Sequence, residues 1–373
     1  MLGDAYVAVH GGAGAHDPKY EAQVKQALKL ACNMGIRCIH EGSSTVREQP
    51  DTRHESKHLE MVEQAISILE DDPHLNAGYG SNLTVDGTVE CDAAVMDGRS
   101  SDFGSVGAVS GIKNPIKLAR SILDYSGKPD PLGRIPPMTL TSEGARSFAY
   151  NRIETVSSGS LISPRAREEW KKWKDRLESS VKHGKRPDSM QDTVGAVAYH
   201  HAHGMAAGVS SGGILLKYPG RIGEAGVFGA GCWAQRFVKP VIEIACSVSG
   251  AGEYIVRTML ARVVGESINA CISRGLDVDP HEILRCVLVE KFWGPCRNRG
   301  VLRPEAGILL LMAEEEDDKV AARLWCAFTT PSMAIAYASL KSPKPTALIL
   351  RQPNSTEAHD NQEPPVYITA ITL

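Results

Sequence analysis

The chain has 373 residues, 42% hydrophobic and 23% charged, with 35 glycines. This composition can bury one or two substantial cores and excludes a disordered tail protein. Lys plus Arg number 41 against 44 for Asp plus Glu, a net charge of -3, so nothing global attracts nucleic acid or an anionic membrane.

The N-terminus MLGDAYVAVHGGAG has no basic stretch followed by a long apolar one. No apolar run approaches the ~20 residues of a membrane span. The expectation is a soluble intracellular protein of the cytoplasm or nucleus, with no nucleic-acid or membrane partner. Nine cysteines include no C-x-x-C pair, which suits reduced thiols in a core rather than a disulfide framework. His200-His201-Ala202-His203 lies between two short apolar runs and reads as a hairpin turn. No carboxylate or thiolate stands nearby in sequence to complete a metal site, so no metal is expected.

Tyr6–His10 predicts a first strand, followed by the glycine-rich HGGAG and a helical stretch from Lys19 to Glu41. Leu59, Val62, Ile66 and Leu69 recur at three- and four-residue intervals and predict a helix over His58–Glu70. From Asn76 the texture becomes NAGYGSNLTVDGTVECDAAVMDG, in which DG dipeptides separate β-rich runs, as antiparallel hairpins require. Asn114-Pro115 opens a helix to Tyr125.

Residues 157–191 differ in kind. Ser157-Ser158-Gly159-Ser160 reads as a flexible entry, and Arg165–Arg186 holds nine basic residues against four acidic ones. Ala166, Trp170, Trp173 and Leu177 share one helical face, which predicts an amphipathic helix with a basic back. The stretch is a solvated insertion, a nuclear-import or docking element, or a flexible tether to the segment beginning at Thr193. Beyond it, TVGAVAY, GMAAGVSS and VIEIACSVS read as strands. Helices over Glu253–Ser273 and Pro280–Trp293 come next, and then strands through ILLLMAEE, LWCAFTT, MAIAYASL, ALILRQ and VYITAITL. The alternation of strand and helix blocks indicates a layered α+β fold.

Three patterns compete for the chemistry. GAGCWA at 229–234 fits a dinucleotide fingerprint, but no strand-turn-helix surrounds it. GVSSG at 208–212 would make Ser210 a hydrolase nucleophile, yet the subsequent GGILLKYPG opposes the helix that a nucleophile elbow needs. Asp192-Thr193-Val194-Gly195 stands after the insertion and before an alternating strand, where a chain break spares the core. Cleavage there frees the Thr193 amine. Its pKa near 8, that of an α-amino group, lets it take the proton from its own hydroxyl. Before cleavage the nitrogen is an amide with no basic lone pair. The alternative is an ordinary strand start.

HGGAG, NAGYGSNL, ECDAAVMDG, GAVSGIKNP, GRIPP, DTVGAV, VSSGG, YPGRIG, GAGCWA, SGAGE and FTTPSM occur in an order and spacing that resembles the N-terminal-nucleophile hydrolases of the plant-type asparaginase group. Within that group, the basic insertion and the Asp before the threonine look like the endopeptidase branch, the threonine aspartases or taspases. The resemblance implies an αββα sandwich cut into an α part, 1–192, and a β part, 193–373, and an association of two such pairs. It also implies a threonine-type endopeptidase, activated by its own cleavage, whose partners are proteins carrying an Asp at the cut.

By the same resemblance Thr193 is the nucleophile and Asp192–Thr193 the self-cleavage bond. Ser211, 18 residues on, orients the nucleophile. Ser249 and Gly250 stabilise the oxyanion, with Gly252 and Asn76 lining the substrate site. Arg221 grips a substrate carboxylate, a task that suits a planar two-pronged donor. No cofactor is implied. Glu224 departs from what a protease needs. It matches the acid by which asparaginases hold a free α-amino group, or else it pairs with Arg221 and restrains it. An asparaginase or isoaspartyl peptidase is therefore the rival activity, and an unprocessed binding protein the rival of another class.

Overall fold

The structure, a computed structural model, describes residues 4–39, 56–179, 193–316, 319–353 and 364–373. Asp192 lies outside the described residues, as does the KHGKRPDSMQ end of the basic stretch.

Among the described residues the strands are β1 Ala5–Gly14, β2 Cys91–Asp97, β3 Phe103–Val109, β4 Thr139–Thr141, β5 Val194–His200, β6 Gly204–Ser211, β7 Cys232–Val238, β8 Val241–Gly250, β9 Ala306–Glu316, β10 Lys319–Phe328, β11 Ser332–Ser339, β12 Thr346–Arg351 and β13 Tyr367–Thr372. The α-helices are α1 Glu21–Arg37, α2 Lys57–Glu70, α3 Pro115–Ser126, α4 Ser142–Ala149, α5 Pro164–Glu178, α6 Gly252–Thr258, α7 Leu260–Ser273, α8 Pro280–Cys286 and α9 Gly294–Asn298.

They form two sheets, ordered β12-β11-β1-β5-β6-β2-β3-β4 and β13-β10-β9-β8-β7. The period of two along each strand decides the layers. On β1, Val7 and Val9 point to α1 and α2, where they pack with Leu28, Val62 and Ile66, while Tyr6 and Ala8 face the second sheet. Val197, Tyr199, Ala207 and Val209 of β5 and β6 meet Ala245, Leu309, Leu311 and Leu324 between the sheets. Ile244, Val248 and Leu310 turn outward onto Val264, Leu284 and Leu288. The result is the expected αββα sandwich, with three apolar layers and its central strands buried on both faces.

β5 is central, flanked by β1 and β6 in antiparallel register. Thr193 therefore stands at the head of a strand held on both sides. HGGAG belongs to β1 itself, with a register shift against β11 between His10 and Ala13, so the first strand runs longer than Tyr6–His10. The predicted turn between β5 and β6 is His201–His203, with His200 closing β5.

Three other expectations change. The first helix ends at Arg37 in the described residues. The helix over Glu253–Ser273 is two helices, broken at Met259 in the left-handed region with φ of 53°. The break lets the Ala261 and Arg262 amides at the start of α7 donate to the Ala230 and Gly229 carbonyls, at 3.3 and 2.9 Å, which satisfies helix donors that otherwise lack partners. The entry Ser158–Leu161 is a 3-10 turn rather than a loose linker.

α5 is fastened to the body. Ser163 caps its N-terminus, Arg165 donates to the Pro73 and Gly80 carbonyls at 2.8 Å each, and Trp170 Nε1 donates to the Thr84 carbonyl at 2.8 Å. Leu177, on the predicted apolar face, is 59% exposed. Among the described residues no helix is long and apolar enough to cross a membrane, and no group of three His, Cys, Asp or Glu is placed to hold a metal ion.

Gly195, near the start of β5, is packed to the limit. A Cβ there would lie 2.0 Å from Ser247 Oγ and 2.4 Å from His10 Nε2. Gly195→Ala is expected to destabilise the fold by about 1–3 kcal/mol, the range for overpacking a tight core, read from urea unfolding midpoints at constant m.

Candidate active site

The end of β6, the start of β5 and the turn after Gly223 converge on one hydroxyl. Thr193 is 2% exposed, and its Oγ1 lies 2.5 Å from Glu224 Oε1 and 3.0 Å from Ser211 Oγ. Ser211 Oγ also accepts the Gly213 amide at 3.0 Å. An ionised carboxylate only accepts, so the Thr193 proton goes to Glu224 and the Ser211 proton turns to Thr193 Oγ1. The structure thus brings Ser211 to Thr193 as the resemblance implies, and brings Glu224 there as well.

Glu224 is 3% exposed. Burial raises its pKa above the ordinary carboxyl value, against the Thr193 hydrogen bond and the nearby Arg221 charge, which lower it. Of the two alternatives for Glu224, the ion pair with Arg221 is not formed; Arg221 pairs with Glu253 instead. Arg221 Nε and Nη2 donate to Glu253 Oε1 and Oε2 at 2.8 and 2.7 Å, a two-point bridge. Burial acts to raise the Glu253 carboxyl, and the Arg221 bridge outweighs it and holds the group below its usual value. Sequence reasoning missed Glu253, although it closes the SGAGE stretch that carries Gly250 and Gly252.

The guanidinium sits in a cradle of glycines. A Cβ on Gly213, Gly223 or Gly252 would lie 3.0, 2.8 or 2.8 Å from an Arg221 Nη atom. The Gly252 Cβ would also reach 2.4 Å from Glu224 Oε2. Gly252 is therefore beside both charged groups, and its role is to leave them room. The bridge uses the Nε side of the fork, so the Nη1 donors remain for a further carboxylate.

The loop bearing Arg221 and Glu224 is stitched to the segment leading into β2. Lys217 Nζ, fully buried, donates to the Glu90 carbonyl at 2.7 Å, and the Gly220 amide donates to Glu90 Oε2 at 2.8 Å. Asp92 accepts from the Gly223 and Ala108 amides, each at 2.8 Å.

Asn76 acts one step back. Its Nδ2 donates to the Gly213 carbonyl at 2.9 Å, its Oδ1 accepts the Asn82 amide at 2.9 Å, and its own carbonyl accepts the Gly212 amide at 2.8 Å. It shapes the turn after Ser211. Ser249 Oγ accepts the Ala13 amide at 3.0 Å and ties β1 to β8, while Gly250, with φ of 138°, packs where a Cβ would lie 2.3 Å from the Glu305 carbonyl. Ser210 is no nucleophile elbow. It lies within β6, its hydroxyl donating to buried Glu70 at 2.7 Å.

An αββα sandwich with a buried threonine heading a central strand is the N-terminal-nucleophile hydrolase fold. A family model described as Asparaginase matches residues 3–276. The isoaspartyl peptidase/L-asparaginase of Bos taurus is 36% identical over 261 residues, 69% of this chain and 74% of the relative. The plant-type L-asparaginase of Pyrococcus horikoshii is 32% identical over 298 residues, 77% and 86% of the two chains. The chain belongs to the asparaginase family of N-terminal-nucleophile hydrolases.

Asp92→Asn is close in shape but turns an NH2 toward one of two buried amide donors. It is expected to cost about 1–3 kcal/mol, the usual penalty for an unsatisfied buried polar group, measured by denaturant unfolding.

Proposed function

We propose that this chain cuts itself between Asp192 and Thr193 and then acts as a threonine endopeptidase on partner proteins, cutting after Asp. The observation that carries the reading is the hydroxyl of Thr193, buried at the head of β5 and hydrogen-bonded by both Ser211 and Glu224. Once the bond before it is cut, the Thr193 amine takes the hydroxyl proton. The oxygen attacks a carbonyl carbon, the carbon–nitrogen bond breaks as the departing amine takes that proton from the Thr193 ammonium, and water opens the resulting ester.

Arg221 supports specificity for an aspartyl unit. Its Nη1 donors, which the Glu253 bridge does not use, suit a substrate carboxylate. When that carboxylate is the Asp side chain, the main-chain carbonyl of the same residue meets Thr193 and the cut falls after Asp. Asp192 supplies such a residue at the self-cleavage bond. Ser249 and Gly250 are proposed to rest the tetrahedral anion, and two processed pairs are proposed to associate. This chemistry requires no cofactor.

A second reading is an L-asparaginase or isoaspartyl peptidase, and two observations favour it. The curated relatives carry those names. Glu224 places an acid beside the nucleophile, where a free α-ammonium group would be held. The substrate is then turned about, with its α-carboxylate at Arg221 and its side-chain amide at Thr193.

Incubation of the purified protein is expected to yield two fragments, the second beginning at Thr193 by N-terminal sequencing, and Thr193→Ala is expected to stay intact and inactive. Cleavage of peptides after Asp, without ammonia release from asparagine, is the expected outcome. Ammonia release with no peptide cleavage selects the second reading, and a single uncut chain defeats both.

A further inference from the structure

Self-cleavage makes a demand that the finished enzyme does not. The mature threonine carries its own base, its free amine, whereas in the intact chain that nitrogen is an amide and takes no proton. Some other group must accept the hydroxyl proton when Thr193 first attacks.

The groups around Thr193 divide sharply on this point. His10 lies beside the Thr193 main chain with its Nε2 engaged by Ser247 Oγ at 2.8 Å and its buried Nδ1 without a hydrogen-bond partner among the described residues, but burial pushes its pKa down to about 3, which makes it a weak base. Asp92 commits both oxygens to the Ala108 and Gly223 amides. Lys217 points its amine at the Glu90 carbonyl. Ser211 offers a hydroxyl. Among the described residues Glu224 alone presents a carboxylate oxygen to Thr193 Oγ1, within direct proton-transfer distance.

We infer that Glu224 is the general base of self-cleavage, a catalytic residue for the first turnover of the chain that the freed Thr193 amine then relieves. The inference rests on the proposed cut between Asp192 and Thr193. In the first step the Thr193 O–H bond breaks and its proton passes to Glu224 Oε1, while Oγ1 bonds to the Asp192 carbonyl carbon and the carbonyl π pair moves to oxygen. As the tetrahedral anion collapses, the carbon–nitrogen bond breaks. The departing nitrogen takes the proton back from Glu224 and becomes the free amine. Water then opens the Asp192–Thr193 ester, leaving a carboxyl on Asp192 and a hydroxyl on Thr193. Glu224 ends as it began.

The same reading accounts for an acid at this position in a site that grips carboxylates. Arg221 is neutralised from its other side by Glu253, so Glu224 keeps a lone-pair oxygen for Thr193 instead of closing onto the guanidinium. Its surroundings set the sign of the pH effect. β2 brings Asp92, α6 brings Glu253 and the preceding loop brings Arg221, while β3 and β6 bring no charge. Burial raises the Glu224 pKa, and Asp92 adds to the rise. A base must be ionised to act, so self-cleavage accelerates as pH climbs through that raised value and levels off above it.

The test tracks the freshly translated full chain on denaturing gels, with N-terminal sequencing of the fragments. Glu224→Gln, nearly isosteric, is expected to slow the cut by ~10²–10⁴-fold, the usual worth of a positioned base. Glu224→Asp, which keeps the carboxylate one methylene further back, is expected to fall between it and the parent. The parent's rate should rise with pH and then plateau, a profile that Glu224→Gln should lack. Thermal melting checks that each variant is folded, and the parent's pH profile needs no variant. A parent that cuts equally fast at every pH from about 4 to about 8, or a folded Glu224→Gln that cuts as fast as the parent, overturns the role of Glu224 and leaves the proposed function standing. A parent that is never cut at this bond removes the proposed function itself.

Discussion

A hydroxyl sealed between a carboxylate and a second hydroxyl is the constraint around which the rest of the molecule is arranged. Thr193, Ser211 and Glu224 come from the start of one strand, the end of its neighbour and a turn more than a dozen residues further along. None of the three can shift alone. Leaving any of their polar atoms buried without a partner costs about 1–3 kcal/mol, a large share of the roughly 5–15 kcal/mol by which domains are typically stable. The pairing of β1, β5 and β6 fixes the first two. The third depends on the loop from Gly213 to Glu224, and that loop depends on Glu90 and Asp92.

That dependence explains why so many polar groups are buried on this side of the sandwich. A loop carrying Arg221 and Glu224 brings two charges into poor solvent, and burial of an unpaired charge is costly. The structure divides the problem. Glu253, half-exposed on α6, answers Arg221 with two hydrogen bonds, and Thr193 answers Glu224 with one. Glycines at 213, 223 and 252 then provide the room that side chains would take. Gly223 and Gly252 are placed by contact, because a methyl group would crowd the guanidinium, whereas Gly213 also holds a φ of 71° that favours glycine.

Much of this arrangement is legible in the sequence. Near-continuous runs of small and apolar residues in TVGAVAY and GMAAGVSS mark strands buried on both faces, and the three- and four-residue spacing over His58–Glu70 matches α2 closely. The position of Thr193 between a basic insertion and a strand already singles it out. What escapes the sequence depends on distant partners. Met259 breaks a regular helical pattern because the Gly229 and Ala230 carbonyls await the first amides of α7. Glu253 lies 32 residues from Arg221, and nothing local distinguishes it from any exposed helical glutamate. Glu224, only three residues from Arg221, has the spacing of a partner and is not one. The short β4 and α4 leave no trace, since three and eight residues hold little periodicity to read.

The basic insertion shows how a surface element reaches the buried hydroxyl. Arg165 and Trp170 of α5 bind main-chain carbonyls at Pro73, Gly80 and Thr84, on either side of Asn76 and Asn82. Those two asparagines both donate to the Gly213 carbonyl, at 2.9 and 2.8 Å, and so hold the turn just after Ser211. Hydrogen bonds together with the main chain of residues 73–84 therefore link α5 to Ser211 and Thr193. The helix that precedes the Asp192–Thr193 bond in the chain also braces the far side of the site, so displacing α5 would loosen Ser211 through the Gly213 turn. A purely solvated insertion would have no such hold, and the main-chain acceptors at Pro73, Gly80 and Thr84 give this one a structural role that its charge count does not reveal.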